Sequence, residues 1–211
     1  MPDSSSYFAR VASHWDNLRQ TYLDESVIIN ALEQAMPSSE MTVVDLGTGT
    51  GFVAAALAQH ARRVIGIDAS AEMLKVARVN LQKKKVENVE LMVGTAENLA
   101  IGNGSIEIVF GNMVLHHIPE PTASFAEIHR VLKKGGKVML TDLDKHSYEW
   151  FRDAMADHWL GFDRKDIRKW MESAGFNNVR VDCADTDCCT KAPDSGPEVK
   201  VSVFYAYGEK S

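Results

Sequence analysis

At 211 residues, with 45% hydrophobic and 25% charged side chains, the chain has the size and balance of one globular domain. A formal net charge of -6 argues against a general nucleic-acid binder, which needs clustered Lys and Arg against phosphate. No apolar run approaches the roughly 20 residues of a membrane span, and the polar start Met1-Pro2-Asp3-Ser4-Ser5-Ser6 lacks the order of a signal peptide, so a cytoplasmic location is expected.

From Tyr7 to Met36 the pattern predicts helix. Tyr7, Phe8, Val11 and Trp15 form one apolar face, and Val27, Ile28, Ala31, Leu32 and Ala35 form a second before Pro37. The first face either packs on the domain or forms a flap over a pocket. Thr42 to Leu46 reads as a buried strand running into Gly47-Thr48-Gly49-Thr50-Gly51, with an alanine-dense helix from Phe52 to Gln59 behind it. Arg63 to Asp68 is a second strand that ends in an acid. Ser70 is a candidate N-cap for a helix whose inner face is Met73, Leu74, Ala77 and Leu81. The run Lys83-Lys84-Lys85 suits that helix's carboxyl end.

Val89 to Val93 is a third strand and Ile106 to Phe110 a fourth, the latter leading into Gly111-Asn112-Met113-Val114-Leu115-His116-His117. A helix from Pro121 to Leu132 stops at Lys133-Lys134-Gly135-Gly136, and Lys137 to Asp142 is the fifth strand. Repeated alternation of strand and helix implies a parallel sheet covered on both faces. Tyr148 to Phe162 is rich in large side chains at helical spacing, and a further helix runs from Arg164 to Ala174. Val179 to Asp182 and Val199 to Tyr207 are strand-like, and the simplest pairing is an antiparallel edge hairpin across a loop from Ala184 to Glu198. One domain of residues 1–211 is expected, with a helical cap over 1–36, a core over 40–143, a helical cap insertion over 144–174 and carboxyl-terminal strands over 175–211.

The glycine turn stands at a strand's carboxyl end, where open α/β sheets place ligands. A dinucleotide turn requires G-x-G-x-x-G, and here Phe52 occupies the last glycine's place. Asp45, two positions before the first glycine, repels a pyrophosphate and suits a cationic amino group. No Gly-Lys-Ser/Thr follows, which excludes a P-loop.

Asp45-Leu46-Gly47-Thr48-Gly49-Thr50-Gly51, with Asp68 ending the next strand, resembles a class I S-adenosylmethionine-dependent methyltransferase. The likeness runs from about Tyr7 to Tyr207 and includes Leu115-His116-His117-Ile118 and the Lys133–Gly136 turn. It implies a Rossmann-like α/β fold: a doubly wound, mostly parallel seven-stranded sheet with an antiparallel C-terminal edge hairpin and a helical cap. By the same resemblance Gly47, Thr48 and Gly49, with Gly51 closing the turn, line the methionine part of the cofactor, and Asp45 faces its amino group. Asp68 takes the ribose hydroxyls, and Ala69 and Met73 flank the adenine. The family's acid in the third-strand motif is replaced by Thr95, which leaves Ala96 and Glu97 to recognise the adenine amino group. Asn112 and His117 face the sulfonium and the substrate.

Tyr7 to Asp16, with Arg19 a turn later, is similar to the cofactor-covering helix of the ubiquinone-biosynthesis-like methyltransferases, which brings Tyr7, Trp15 and Arg19 to the cofactor. It is also similar to methyltransferases fused to arsenic-responsive repressors. Only six residues precede Tyr7, so the repressor half of that likeness does not carry over. A small-molecule acceptor is expected, in a pocket walled by Tyr148, Phe151, Met155 and Trp159. Its catalytic candidates are His117, His116 and Asp142. Cys183, Cys188 and Cys189 do not fit a Cys-x-x-Cys zinc pair, and no bound metal is expected. They are either ordinary buried thiols or soft ligands able to capture a metalloid for methylation.

Overall fold

The computed structural model describes residues 4–22, 26–191 and 198–211. Three helices open the chain: α1 (Ser4–Val11), α2 (Trp15–Tyr22) and α3 (Ser26–Ala35), the first two joined by a 3₁₀ turn at Ala12–His14. The alternating core follows as β1 (Thr42–Leu46), α4 (Phe52–Leu57), β2 (Arg63–Asp68), α5 (Ala71–Lys83), β3 (Val89–Val93), β4 (Ile106–Asn112), α6 (Pro121–Val131) and β5 (Leu132–Leu143). The short helix α7 (Phe151–Ala154) and α8 (Arg164–Ser173) precede the hairpin of β6 (Phe176–Lys191) and β7 (Glu198–Lys210). One seven-stranded sheet results, in the order β3-β2-β1-β4-β5-β7-β6. The four pairings among β3, β2, β1, β4 and β5 are parallel, whereas β7 runs antiparallel to both β5 and β6.

Side chains alternate across each strand, so each strand feeds two cores. On one face Val43, Val64, Ile108, Phe110 and Met139 pack with Ile28, Ala31 and Ala35 of α3 and with Val53 and Leu57 of α4. On the other, Val44, Ile65, Val109, Leu140 and Phe204 meet Phe125 and Ile128 of α6 and Ile167 and Met171 of α8. Of the segment expected as a cap insertion, α8 is therefore a sheet-covering helix. Asp163 caps it by accepting from the Lys165 amide at 3.0 Å.

Three local expectations give way to tertiary context. The loop expected from Ala184 is strand as far as Lys191, because β7 continues to pair with it across a register shift between Cys183 and Asp187. The stop at Lys133–Gly136 ends the helix but not the strand pairing: Leu132 already pairs with Ile106, and the following residues bulge before Lys137 pairs with Ile108. Within Tyr148–Phe162 only α7 is helical. Its aromatics are gathered by contact instead, Trp159 lying 5.8 Å from Phe162 and 6.4 Å from Trp170 between ring centroids.

That segment leaves the sheet and returns to it at a narrow neck. Asp144 bridges to Phe162, the Lys145 amide donates to the Phe162 carbonyl, and the His146 amide donates to the Leu160 carbonyl, both at 3.0 Å. A Cβ on Gly161 would sit 2.3 Å from the Asp144 carbonyl oxygen, so only glycine allows the two chains to close here. The Asp144 carboxylate accepts from Arg164 Nη2 at 2.5 Å and from the Ser202 hydroxyl at 2.6 Å, tying the neck to α8 and β7.

Candidate active site

The strand order reverses between β1 and β4, where helices cross to opposite faces and leave a crevice at the carboxyl ends. A cavity of about 690 Å³ occupies that crevice. Gly47, Gly49 and Gly51 all have positive φ, which folds the turn back over the end of β1. At Gly47 a Cβ would lie 2.4 Å from Val114 Cγ2, so backbone from the β1 turn and side chain from the β4 turn meet without a gap. The Thr48 amide donates to the Ile67 carbonyl at 2.9 Å and its hydroxyl to Asp45 Oδ2 at 2.6 Å.

Asp45 therefore lies beneath the turn, 1% exposed and off the cavity wall, rather than facing a ligand's amino group. Burial, reinforced by the nearby Asp68 charge, raises its pKa to about 7 against the bond from Thr48. Asp68 does reach the cavity. Its Oδ2 accepts from the Gly49 amide and its Oδ1 from the Ser70 amide, both at 2.8 Å, which aims the carboxylate and leaves each oxygen a further lone pair. Burial raises its pKa, and those two amide bonds oppose the rise.

Ala69, Met73, Thr95, Ala96 and Glu97 line the same end of the cavity, with Trp15 and Arg19 above the turn. The Arg19 guanidinium lies 3.7 Å over the Phe52 ring, so the residue that breaks the dinucleotide pattern holds a cation instead. Asp16 braces the amino-terminal helices on the turn: Oδ1 accepts from the Thr50 hydroxyl at 2.5 Å and Oδ2 from Asn80 Nδ2 at 3.0 Å. Phe8 rather than Tyr7 reaches the wall, its ring 4.8 Å from that of His117 and 5.1 Å from that of Trp15. The amino-terminal apolar face thus covers the cavity. Gly51 also stands off the wall, at the N-cap of α4 with its Cβ direction closed by Ala77 at 3.2 Å.

At the other end stand Asn112, His116, His117, Phe151, Met155 and Asp157. Thr141 orients Asn112, donating to its Oδ1 at 2.7 Å. A 3₁₀ turn at Leu115–His117 follows Met113, whose φ is 52°. Asp142 holds this turn from behind. Its Oδ2 accepts from the Leu115 amide at 2.8 Å, and its Oδ1 lies 2.7 Å from His116 Nδ1. Asp142 is fully buried and off the wall, and it adjoins the cavity through its contact with His116.

His116 Nε2 and His117 Nδ1 each lie 3.8 Å from Asp157 Oδ1. Burial opposes charge on His116, but Asp142 and Asp157 outweigh it and raise its pKa to about 9. Burial and the adjacent His116 charge push His117 well below the usual imidazole range. Burial lifts Asp157 to about 6 despite His116.

Tyr148 and Trp159, expected on the wall, stand behind it. Tyr148 stacks on Phe151 at 6.2 Å between centroids, and Trp159 donates its indole N–H to the Ile118 carbonyl at 2.9 Å. Asp157, His158, Phe52, Met113 and Val114 are wall residues that the sequence did not assign to the site, whereas Phe8 lies on the apolar face read as a possible flap. No sequence signal singled out Asp157, since the aromatic block carries two other acids, Glu149 and Asp153. Cys183 is exposed on β6 and off the cavity wall, so it is neither a buried thiol nor part of the cavity lining. The side chains of Cys188 and Cys189 lie outside the described residues.

Comparison with known proteins agrees with this geometry. A family model described as a methyltransferase domain matches residues 37–188. The chain is 34% identical over 129 residues to the uncharacterized methyltransferase YcgJ of Bacillus subtilis, covering 58% of this chain and 51% of that one. It is 38% identical over 149 residues to an arsenite methyltransferase of Halobacterium salinarum, covering 66% and 38% respectively. A malonyl-[acyl-carrier protein] O-methyltransferase of a Marinomonas species is 30% identical over 191 residues, covering 85% of this chain and 68% of the relative. The chain thus spans about half or less of the first two relatives. The crystal structure of YcgJ superposes with a TM-score of 0.75 at 21% identity, covering 89% of this chain and 99% of that one.

Proposed function

Because the chain belongs to the class I S-adenosylmethionine-dependent methyltransferases, we propose that it transfers the methyl group of S-adenosylmethionine to a small-molecule acceptor held beneath Phe151 and Met155. One observation carries the reading. A single cavity runs from Asp68 and the glycine turn to the polar cluster of His116, His117 and Asp157, so cofactor and acceptor share one enclosure.

In this reading Asp68 accepts from the ribose hydroxyls with the lone pairs its amide bonds leave free. Ala69, Met73, Thr95, Ala96 and Glu97 surround the adenine. Gly47, Thr48 and Gly49 approach the methionyl chain, and the Arg19 charge suits its carboxylate. That directs the sulfonium toward Asn112 and the β4 turn. Methyl transfer is an in-line displacement, so nucleophile, methyl carbon and sulfur must be collinear, and positioning supplies much of the rate. Phe8, Trp15 and Phe151 close the space from above and exclude water. Met113, Val114, Phe151 and Met155 give the acceptor end apolar walls, and the cluster gives it polar ones.

Among the described residues no helix is long and apolar enough to cross a membrane. Calorimetry with S-adenosylhomocysteine and with NAD tests the cofactor: tight binding of the first, none of the second, and at least a ten-fold loss in Asp68→Ala are expected. Indifference to Asp68→Ala would sink the assignment. Release of S-adenosylhomocysteine from a panel of phenols, quinols, thiols and carboxylates then identifies the acceptor.

A further inference from the structure

We infer that His116, His117 and Asp157 form a binding site for a divalent transition-metal ion such as Zn²⁺, set in the cavity wall with an open coordination position toward the acceptor. Among the described residues these three alone gather ligand atoms of this kind, all within 4.8 Å of one another. Asp157 Oδ1 lies 3.8 Å from His116 Nε2 and 3.8 Å from His117 Nδ1. In tetrahedral coordination at about 2.0–2.1 Å, ligand atoms stand roughly 3.3–3.4 Å apart. The two carboxylate–imidazole separations need to shorten by a few tenths of an ångström, and the ligand atoms as a set, now within 4.8 Å, by up to about 1.4 Å, a side-chain movement that closes the cluster on an ion.

Asp157 supplies the second, independent observation. Its side chain is 1% exposed, yet neither oxygen accepts a hydrogen bond. At 3.8 Å the imidazole nitrogens are too distant to donate to it. A buried carboxylate in this condition is costly, and coordination to a cation is one of the few ways to satisfy it.

The surroundings complete the pattern. Asp142 Oδ1 lies 2.7 Å from His116 Nδ1 and is itself held by the Leu143 amide at 2.8 Å. With Nδ1 donating to Asp142, Nε2 points at Asp157, and an ion that displaces the Nε2 proton gains the carboxylate–histidine–metal arrangement that fixes tautomer and raises ligand basicity. His117 Nδ1 lies 3.3 Å from the Ala156 carbonyl, which also accepts from the Ser4 hydroxyl at 2.9 Å. Turning the His117 lone pair toward an ion thus leaves that carbonyl satisfied. Three protein ligands and one position open to a cavity are the makeup of a reactive rather than a structural metal site.

For the acceptor, and resting on the methyl-transfer reading, the site selects a compound bearing a metal-binding hydroxyl or thiol. Coordination lowers that group's pKa, and its proton passes to solvent. A lone pair of the resulting anion forms the bond to the methyl carbon as the carbon–sulfur bond breaks, yielding methylated product and S-adenosylhomocysteine.

The test uses the full chain stripped with a chelator. Zn²⁺ affinity is measured by competition with a chromophoric chelator, and Co²⁺ substitution reports the ligand field. One equivalent per chain is expected, with the visible bands of a low-coordinate nitrogen and oxygen site. Asp157→Asn and His117→Ala each weaken binding at least ten-fold, and Asp142→Asn weakens it about 10–100-fold. A Cys183→Ser, Cys188→Ser, Cys189→Ser triple variant retains full affinity. S-adenosylhomocysteine calorimetry on Asp157→Asn confirms the fold. Substoichiometric binding, or affinity that survives Asp157→Asn and vanishes in the cysteine variant, would overturn the site. Metal binding without any S-adenosylhomocysteine binding would support the site and overturn the methyl-transfer reading instead.

Discussion

Gly47→Ala isolates how closely the β1 turn and the β4 turn are fitted together. Gly47 has φ 70°, and an added Cβ would lie 2.4 Å from Val114 Cγ2 and 2.8 Å from Val114 Cβ. Forcing an alanine into the left-handed region costs about 1–2 kcal/mol, and driving a methyl into filled space adds about 1–3 kcal/mol. Restricting the unfolded chain returns about 0.4–1 kcal/mol. The net loss is about 2–4 kcal/mol. Gly135 is the internal control, with φ 78° and nothing within 4 Å of its Cβ position. Gly135→Ala feels the backbone contribution alone, leaving a loss of about 1 kcal/mol. Urea unfolding of both variants, and of Gly47→Ala in a Val114→Ala background, separates steric from backbone cost. In that background the penalty at Gly47 falls part of the way toward that at Gly135, because the alanine Cβ at position 114 still stands 2.8 Å from the added methyl. Equal penalties in the two single variants, or no relief from Val114→Ala, would refute the fit of turn against turn.

Asp45 predicts a pH dependence of stability. Its folded pKa of about 7 lies above the ordinary 3.8, so the folded state holds a proton that the unfolded state releases. Stability from this group is full below the ordinary value and is lost as pH rises through about 7. Between about pH 5 and about pH 8 the wild type loses about 3 kcal/mol relative to Asp45→Asn, at about 1.4 kcal/mol per pH unit; parallel stability profiles in urea would contradict this. Asp16→Ala removes the acceptor shared by Thr50 and Asn80. It is expected to weaken S-adenosylhomocysteine binding about ten-fold, or about 1.4 kcal/mol, and unchanged affinity by calorimetry removes the bracing role. Met155→Ala should raise the acceptor's KM several-fold while leaving cofactor affinity intact, and a matching loss of both would place Met155 at the cofactor instead.

The strands carrying the cofactor end were legible because they are short, apolar and punctuated. Thr42–Leu46, Arg63–Asp68 and Val89–Val93 have the bounds the pattern predicts, since each is paired on both sides or closed by glycine, acid or turn. Asp68 and Met73, which the resemblance to the methyltransferase family assigns to the cofactor, both lie on the cavity wall. The acceptor end resisted the same treatment. Asp157 reaches His116 and His117 across about 40 residues because Ala156 adopts φ 58° and the chain doubles back, a geometry with no period in the sequence. Trp159 and Tyr148 kept a helical spacing that was coincidental, their places being set by Trp170 and Phe151. The strand through Cys188 and Cys189 was missed for a related reason: β7 provides a partner, and local composition does not announce it.

The neck at Asp144 and Phe162 has a consequence for how such a protein diversifies. Residues 145–160 leave and re-enter the sheet through backbone bonds closed by Gly161 and locked by Arg164 and Ser202. With its ends fixed in this way, the excursion behaves as a cassette whose length and content can be exchanged. Each doubling in length adds only about 0.6 kcal/mol of closure entropy. New acceptor walls can be tried there by mutation or by grafting while the hydrogen bonds that seat the cofactor, on the far side of the crevice, stay unaltered.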